Sequence, residues 1–104
     1  MTKDELKTML GNPDLVILNV RLSSDYFSSD LKIKGAERPM SAHITTSQYF
    51  DKTGKTLVFY CASPNEENSV PIAQSFIVGG FTKVHVLKGG WEEWLKANYP
   101  TEKK

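Results

Sequence analysis

Thr56-Leu57-Val58-Phe59-Tyr60-Cys61 is the stretch whose reading decides the fold. Its side chains are β-branched, aliphatic and aromatic with no polar alternation, the pattern of a strand buried on both faces. A turn at Thr53-Gly54 precedes it, and a polar loop from Ala62 to Asn68 follows it. Ser69 then has the chemistry of a helix N-cap, and Pro71 fits a first turn, where its missing N–H costs little. Ile72, Ala73, Phe76 and Ile77 recur at helical spacing as a buried stripe, and Gly79-Gly80 ends the helix. Lys83-Val84-His85-Val86-Leu87 reads as the next strand.

Outward from this unit the pattern repeats. Leu15-Val16-Ile17-Leu18-Asn19-Val20 is a nearly continuous apolar run, the mark of a strand buried on both faces. Before it, Thr2 and Glu5 have capping-box spacing, Leu6, Met9 and Leu10 follow at helical spacing, and Gly11-Asn12-Pro13 stops the helix. After Leu87, Gly89-Gly90 makes a turn, and Trp91, Trp94 and Leu95 mark one face of a last helix. Between the strands, Ser23 to Phe27 reads as a short helix. Residues 28 to 51 read as loop with one short strand near Ala36 and a short helix near Ser47. Strands alternating with helices predict an α/β fold, a parallel sheet covered by helices on both faces. The 104 residues make one domain, with Thr101 to Lys104 expected as a frayed tail.

Composition narrows the function. With 13 basic against 12 acidic side chains there is no surplus of the kind that nucleic-acid partners require. No apolar run approaches the ~20 residues of a membrane span, and the first residues lack a signal peptide's apolar core. A cytoplasmic domain is expected, either alone or as part of a larger protein. The single cysteine forms no internal disulfide and suits a reducing compartment.

Cys61 stands where the decisive strand ends and a loop leads to a helix. In open parallel sheets ligands bind at that edge. Loop N–H groups and a helix N-terminus favour an anion there, and hence a thiolate, which is the nucleophilic form. The bland alternative is a small buried residue at a strand end. Position alone does not choose between them.

Several motifs together resemble one family. Leu18-Asn19-Val20-Arg21 with Asp25-Tyr26 resembles the rhodanese pattern L-D-V-R-x-x-x-E-[FY]; Lys34-Gly35-Ala36 resembles its P-G-A. Val58 to Cys61 resembles the strand that delivers the family's catalytic cysteine, and Gly80 to Trp94 its C-terminal signature. The resemblance spans roughly residues 2 to 100. It implies a rhodanese-like fold and a sulfurtransferase without cofactor. Cys61 would take sulfane sulfur from a small-molecule or protein donor and pass it to a thiol- or cyanide-type acceptor. Ala62, Ser63, Pro64, Asn65, Glu66, Glu67, Asn68 and Ser69 would form the active loop. Ser63 and Ser69 are placed to hydrogen-bond sulfur or to cap loop and helix, and Arg21 with Asp25 would brace the loop.

Three departures stand out. Asn19 replaces the family's Asp, Asp25 replaces its Glu, and the usual C-x-x-G-x-R-[ST] loop becomes a longer one with two glutamates and no arginine. The Cys-x-x-Pro-Asn-Glu form is similar to rhodanese domains attached to membrane proteins. At ~8 Å and an effective dielectric of ~40–80, each like-charge pair costs roughly 0.5–1 kcal/mol. A dianion such as thiosulfate facing Glu66 and Glu67 would thus lose roughly 2–4 kcal/mol before screening. If both point to solvent, the effect vanishes. The competing reading is a non-catalytic binding or regulatory module. A phosphatase or arsenate reductase is disfavoured because no arginine lies between Cys61 and Phe76 to clamp an oxyanion. No metal is expected, since Cys61, His43 and His85 fit no common zinc spacing. Trp91 and Trp94 are expected in the core, and Gly89-Gly90 serves either the turn or a close approach to the active loop.

Overall fold

The computed structural model describes residues 1–20, 31–37, 54–60 and 69–103. Its central sheet contains β1 (Leu15–Asn19), β3 (Thr56–Tyr60) and β4 (Val84–Val86) in the order β1-β3-β4, with both pairings parallel. The expected strands are therefore present, and β3 has the expected bounds. Successive side chains of a strand point to opposite faces, so each strand feeds two cores. Ile17, Val58 and Tyr60 join Leu6, Leu87, Trp91 and Trp94 on one face. Val16, Leu18, Leu57 and Phe59 join Ala73, Phe76 and Phe81 on the other.

Helices cover both faces, as the apolar runs required. α1 (Lys3–Met9) and α3 (Gly90–Lys96) supply the first core, and α2 (Ser69–Val78) the second. The capping box of α1 is complete: Glu5 N–H donates to Thr2 Oγ1 at 3.1 Å, and Thr2 N–H donates to Glu5 Oε1 at 3.2 Å. That bond from Thr2 is the chief cause holding the Glu5 carboxyl below its ordinary pKa. Gly80, at φ +103°, lets the chain reverse after α2. Phe81 N–H then returns to Phe76 O and Gly80 N–H to Ile77 O, the paired bonds of a Schellman ending. The rings of Phe76 and Phe81 pack over it with centroids 4.9 Å apart.

Four expectations need correction. Ser69 is the first residue of α2, not a cap outside it. Ile77 is 57% exposed and Leu95 40% exposed, so the buried stripes of α2 and α3 are narrower than the sequence implied. Each stands at the margin of its stripe, and the helix directs the row beside it inward: Ala73 and Phe76 in α2, Trp91 and Trp94 in α3. The expected strand near Ala36 is reduced to a parallel bridge between Glu37 and Leu18, with a strand earlier at β2 (Leu31–Ile33). Finally, Thr101–Lys103 is not a frayed tail but β5, antiparallel to β2. Lys32 Nζ lies 3.4 Å from the Glu102 carboxylate, and Gly35 N–H donates to that carboxylate at 2.9 Å. Polar complementarity therefore holds a segment with no apolar pattern of its own. The short helices expected near Ser23 and Ser47 lie outside the described residues.

Candidate active site

All three strands of the central sheet run the same way, so their carboxyl ends share one edge. At that edge the middle strand is held from both sides. Val20 N–H donates to Tyr60 O and Leu87 N–H donates to Phe59 O, each at 2.9 Å. Tyr60 itself is fully buried, with Trp91 at 6.3 Å between centroids and the Ile33 N–H directed at its hydroxyl at 3.4 Å. Cys61 is the next residue in the chain, its Cα about 3.8 Å from that of Tyr60. The segment carrying Cys61 thus leaves from a rigid point, and eight residues later the chain enters α2. Because α2 connects two parallel strands, its N-terminus starts from the same edge.

Cys61, Ala62, Ser63, Pro64, Asn65, Glu66, Glu67, Asn68, Arg21 and Asp25 lie outside the described residues, as does His43. What is described is the edge of the sheet itself: Asn19 and Val20 at the end of β1, Leu87 to Gly90 after β4, and the start of α2. Asn19 is buried at 1% exposure, and its N–H donates to Glu37 O at 2.8 Å. In the sequence it stood out only as a departure from an aspartate. Its backbone lies between Glu37 and Tyr60, neighbours that no local pattern reveals.

The turn after β4 is explained by its own geometry. Gly89 has φ +83°, and a Cβ there would lie 2.4 Å from the Glu93 Cγ. Both facts demand glycine without any approach to the loop of Cys61. A cavity of about 420 Å³ opens beside this turn, lined by Thr2, Lys3, Asp4, Lys88, Gly89 and Glu93. Two cations face two carboxylates there, so it has no preference for anions. His85 lies mid-strand in β4, half-buried. Among the described residues no three His, Cys, Asp or Glu side chains gather as a metal site, and no helix is long and apolar enough to cross a membrane.

The family model for rhodanese-like domains matches residues 2–97. This chain belongs to the rhodanese-like domain family. No curated protein matches it. Among solved structures, BH2092 of Bacillus halodurans is 24% identical with a TM-score of 0.83, over 99% of this chain and 75% of its own. The rhodanese-like domain of Alr3790 from Anabaena sp. is 28% identical with a TM-score of 0.78, over 100% and 78%. RPA3614 of Rhodopseudomonas palustris, described as of unknown function and a possible tyrosine phosphatase, is 25% identical with a TM-score of 0.74, over 97% and 82%. The rhodanese-like family includes sulfurtransferases alongside non-catalytic and phosphatase-like members.

Proposed function

We propose that this rhodanese-like domain moves sulfane sulfur through a persulfide on Cys61. The observation that carries the reading is the anchoring of β3: its carboxyl end, one residue before Cys61 in the chain, is bonded to both neighbouring strands. A nucleophile so tethered reaches a donor without paying for backbone ordering at each turnover. In the first half-reaction the Cys61 thiolate attacks the outer sulfur of the donor. A new S–S bond forms, the donor's own bond to that sulfur breaks, and the donor leaves with the electron pair. In the second, an acceptor thiolate or cyanide attacks the outer sulfur and Cys61 departs as thiolate. Both steps balance without redox partner, metal or cofactor.

The residues 62–69 would hold the donor, with Arg21 and Asp25 bracing them. If Glu66 and Glu67 face the donor, thiosulfate is a poor one, and a less charged persulfide or protein-bound sulfur is the better one. The same acidic loop also supports a second reading, a regulatory or binding module that keeps the fold without the transfer. A phosphatase reading draws less support, because an oxyanion clamp needs an arginine that the loop lacks.

Intact-mass measurement before and after treatment with polysulfide tests the proposal. A gain of one sulfur, removed by reductant and absent in Cys61→Ser, is expected. A wild-type protein that stays unmodified with thiosulfate, polysulfide and a persulfide alike would leave the binding-module reading in its place.

A further inference from the structure

A second cavity, also of about 420 Å³, lies between the turn that ends α1 and the turn that follows β2. Its volume falls within the ~300–1,000 Å³ of small-molecule sites. Gly11 lines it four residues before β1 begins, toward the amino ends of the strands and away from the edge at which β3 ends. Leu10 and Pro100 are its apolar walls, and Lys7, Lys34 and Glu102 bring the charges. The walls are fixed from behind. Leu10 packs on the core that holds Trp91 and Trp94, and Pro100 O accepts from Lys34 N–H at 3.2 Å and from Trp94 Nε1–H at 2.9 Å.

One carboxylate is already seated here. Ala36 N–H donates to Ile33 O at 3.0 Å across a turn in which Gly35 has φ +84°. That turn does not use the Gly35 N–H, which donates to Glu102 Oε1 at 2.9 Å, and Lys32 Nζ supplies the countercharge at 3.4 Å. The turn after α1 repeats the geometry. Asn12 N–H donates to Met9 O at 3.0 Å, Leu10 has φ −57° and ψ 134°, and Gly11 has φ +88°, the angles of a type II turn. Among the described residues nothing accepts from the Gly11 N–H, and neither Lys7 nor Lys34 has a carboxylate at ion-pair distance. Lys7 Nζ lies instead 4.6 Å from the centroid of the Tyr99 ring, whose hydroxyl donates to Asp4. The carbonyls of Lys7 and Met9 at the end of α1 already accept from Leu10 and Asn12. Cations and donors in this cavity thus exceed the carboxylates that meet them. Lys34 stands where the rhodanese pattern has proline, so its charge is particular to this chain.

We infer that this cavity binds a small carboxylate with an apolar body, the carboxylate meeting Lys7, Lys34 and the Gly11 N–H while the body lies on Leu10 and Pro100. None of these residues belongs to the proposed sulfur-transfer site. Glu102 opposes such a ligand weakly, because Lys32 and the Gly35 N–H already meet its charge. Both lysines are exposed, so each ion contact adds little, and affinity is modest.

The test is a titration of the backbone amide NMR spectrum at low salt with phenylpropionate, with its neutral amide phenylpropionamide, and with acetate. Phenylpropionate should shift the Gly11 and Gly35 amides saturably, with a Kd of about 1 mM. Phenylpropionamide has the same shape without the charge, and acetate the charge without the apolar body. Each should bind at least about fivefold more weakly. Lys7→Gln with Lys34→Gln should weaken phenylpropionate by about fivefold to tenfold, and added salt should narrow that gap. Should losing the Lys7–Tyr99 contact disturb α1, Lys34→Gln alone carries the same test with an effect of about threefold. Shifts that do not saturate, or that centre on other residues, overturn the inference. So do equal affinities for the acid and its amide, for phenylpropionate and acetate, or for wild type and the folded lysine variant.

Discussion

The parallel sheet β1-β3-β4 and the antiparallel pair β2-β5 are held together by different forces. In β3 every residue from Leu57 to Tyr60 is fully buried, and each face meets its own layer of helices. In β2 and β5 only Ile33 is buried, and Lys103 is exposed. Here the pairing leans on Lys32, Glu102 and the Gly35 N–H. Apolar burial is non-directional and roughly proportional to area, so it tolerates any register that keeps the pattern inward. An ion pair with a backbone bond adds little energy at the surface but fixes which residues meet. The first sheet holds the carboxyl end of β3 from both sides, and beside the second Tyr99 donates to Asp4 of α1.

The largest effect should fall on the first sheet alone. Phe76 touches both Phe59 of β3, at 5.0 Å between centroids, and Phe81 of the α2 ending. Phe76→Ala should cost about 3–5 kcal/mol in urea unfolding. A loss below about 1 kcal/mol would mean that this core is far looser than its burial indicates.

An intermediate effect should come from the bond that joins the two regions. Tyr60→Phe removes the hydroxyl facing the Ile33 N–H and leaves the ring in place. At 3.4 Å the bond is long, so a loss of about 1 kcal/mol is expected, at the low end for an abandoned buried donor. Hydrogen exchange should quicken at Ile33 while β3 stays protected. Equal acceleration in both sheets would dissolve the distinction drawn between them.

The smallest effect belongs to β5 and depends on pH. The Glu102 carboxyl sits below its ordinary value of 4.5, chiefly through the Gly35 N–H and secondarily through Lys32. A depressed carboxylate pKa contributes stability above the unfolded value, and the contribution is lost as pH falls through the folded value. Wild type should therefore exceed Glu102→Gln slightly in thermal midpoint at neutral pH, with the gap closing below about pH 4. Tyr99 behaves oppositely. Its hydroxyl donates to Asp4, which raises its pKa, so that link is present below the ordinary value of 10.0 and is lost as pH rises through the folded value. A gap for Glu102→Gln that widens on acidification would show that the carboxylate is not held as described.

Features written in neighbouring residues were legible in advance. The capping box needs only Thr2 and Glu5, the turn after α2 only Gly79-Gly80 and Phe81, and the burial of β3 only its unbroken apolar run. Local sterics and periodicity act within a few residues, and these elements sit where such signals place them. Ile77 and Leu95 were misjudged because periodicity marks a stripe without saying which of its rows meets the sheet. By itself, then, the sequence determined the strands β1, β3 and β4, the helices α1, α2 and α3 that cover them, and the end of β3 at Tyr60. Only the tertiary structure decided that the backbone of Asn19 lies between Glu37 and Tyr60, that Tyr60 is tied to Ile33, and that Thr101–Lys103 is a strand. Each of those depends on residues far apart in the chain, and no local pattern encodes a partner that only folding brings near.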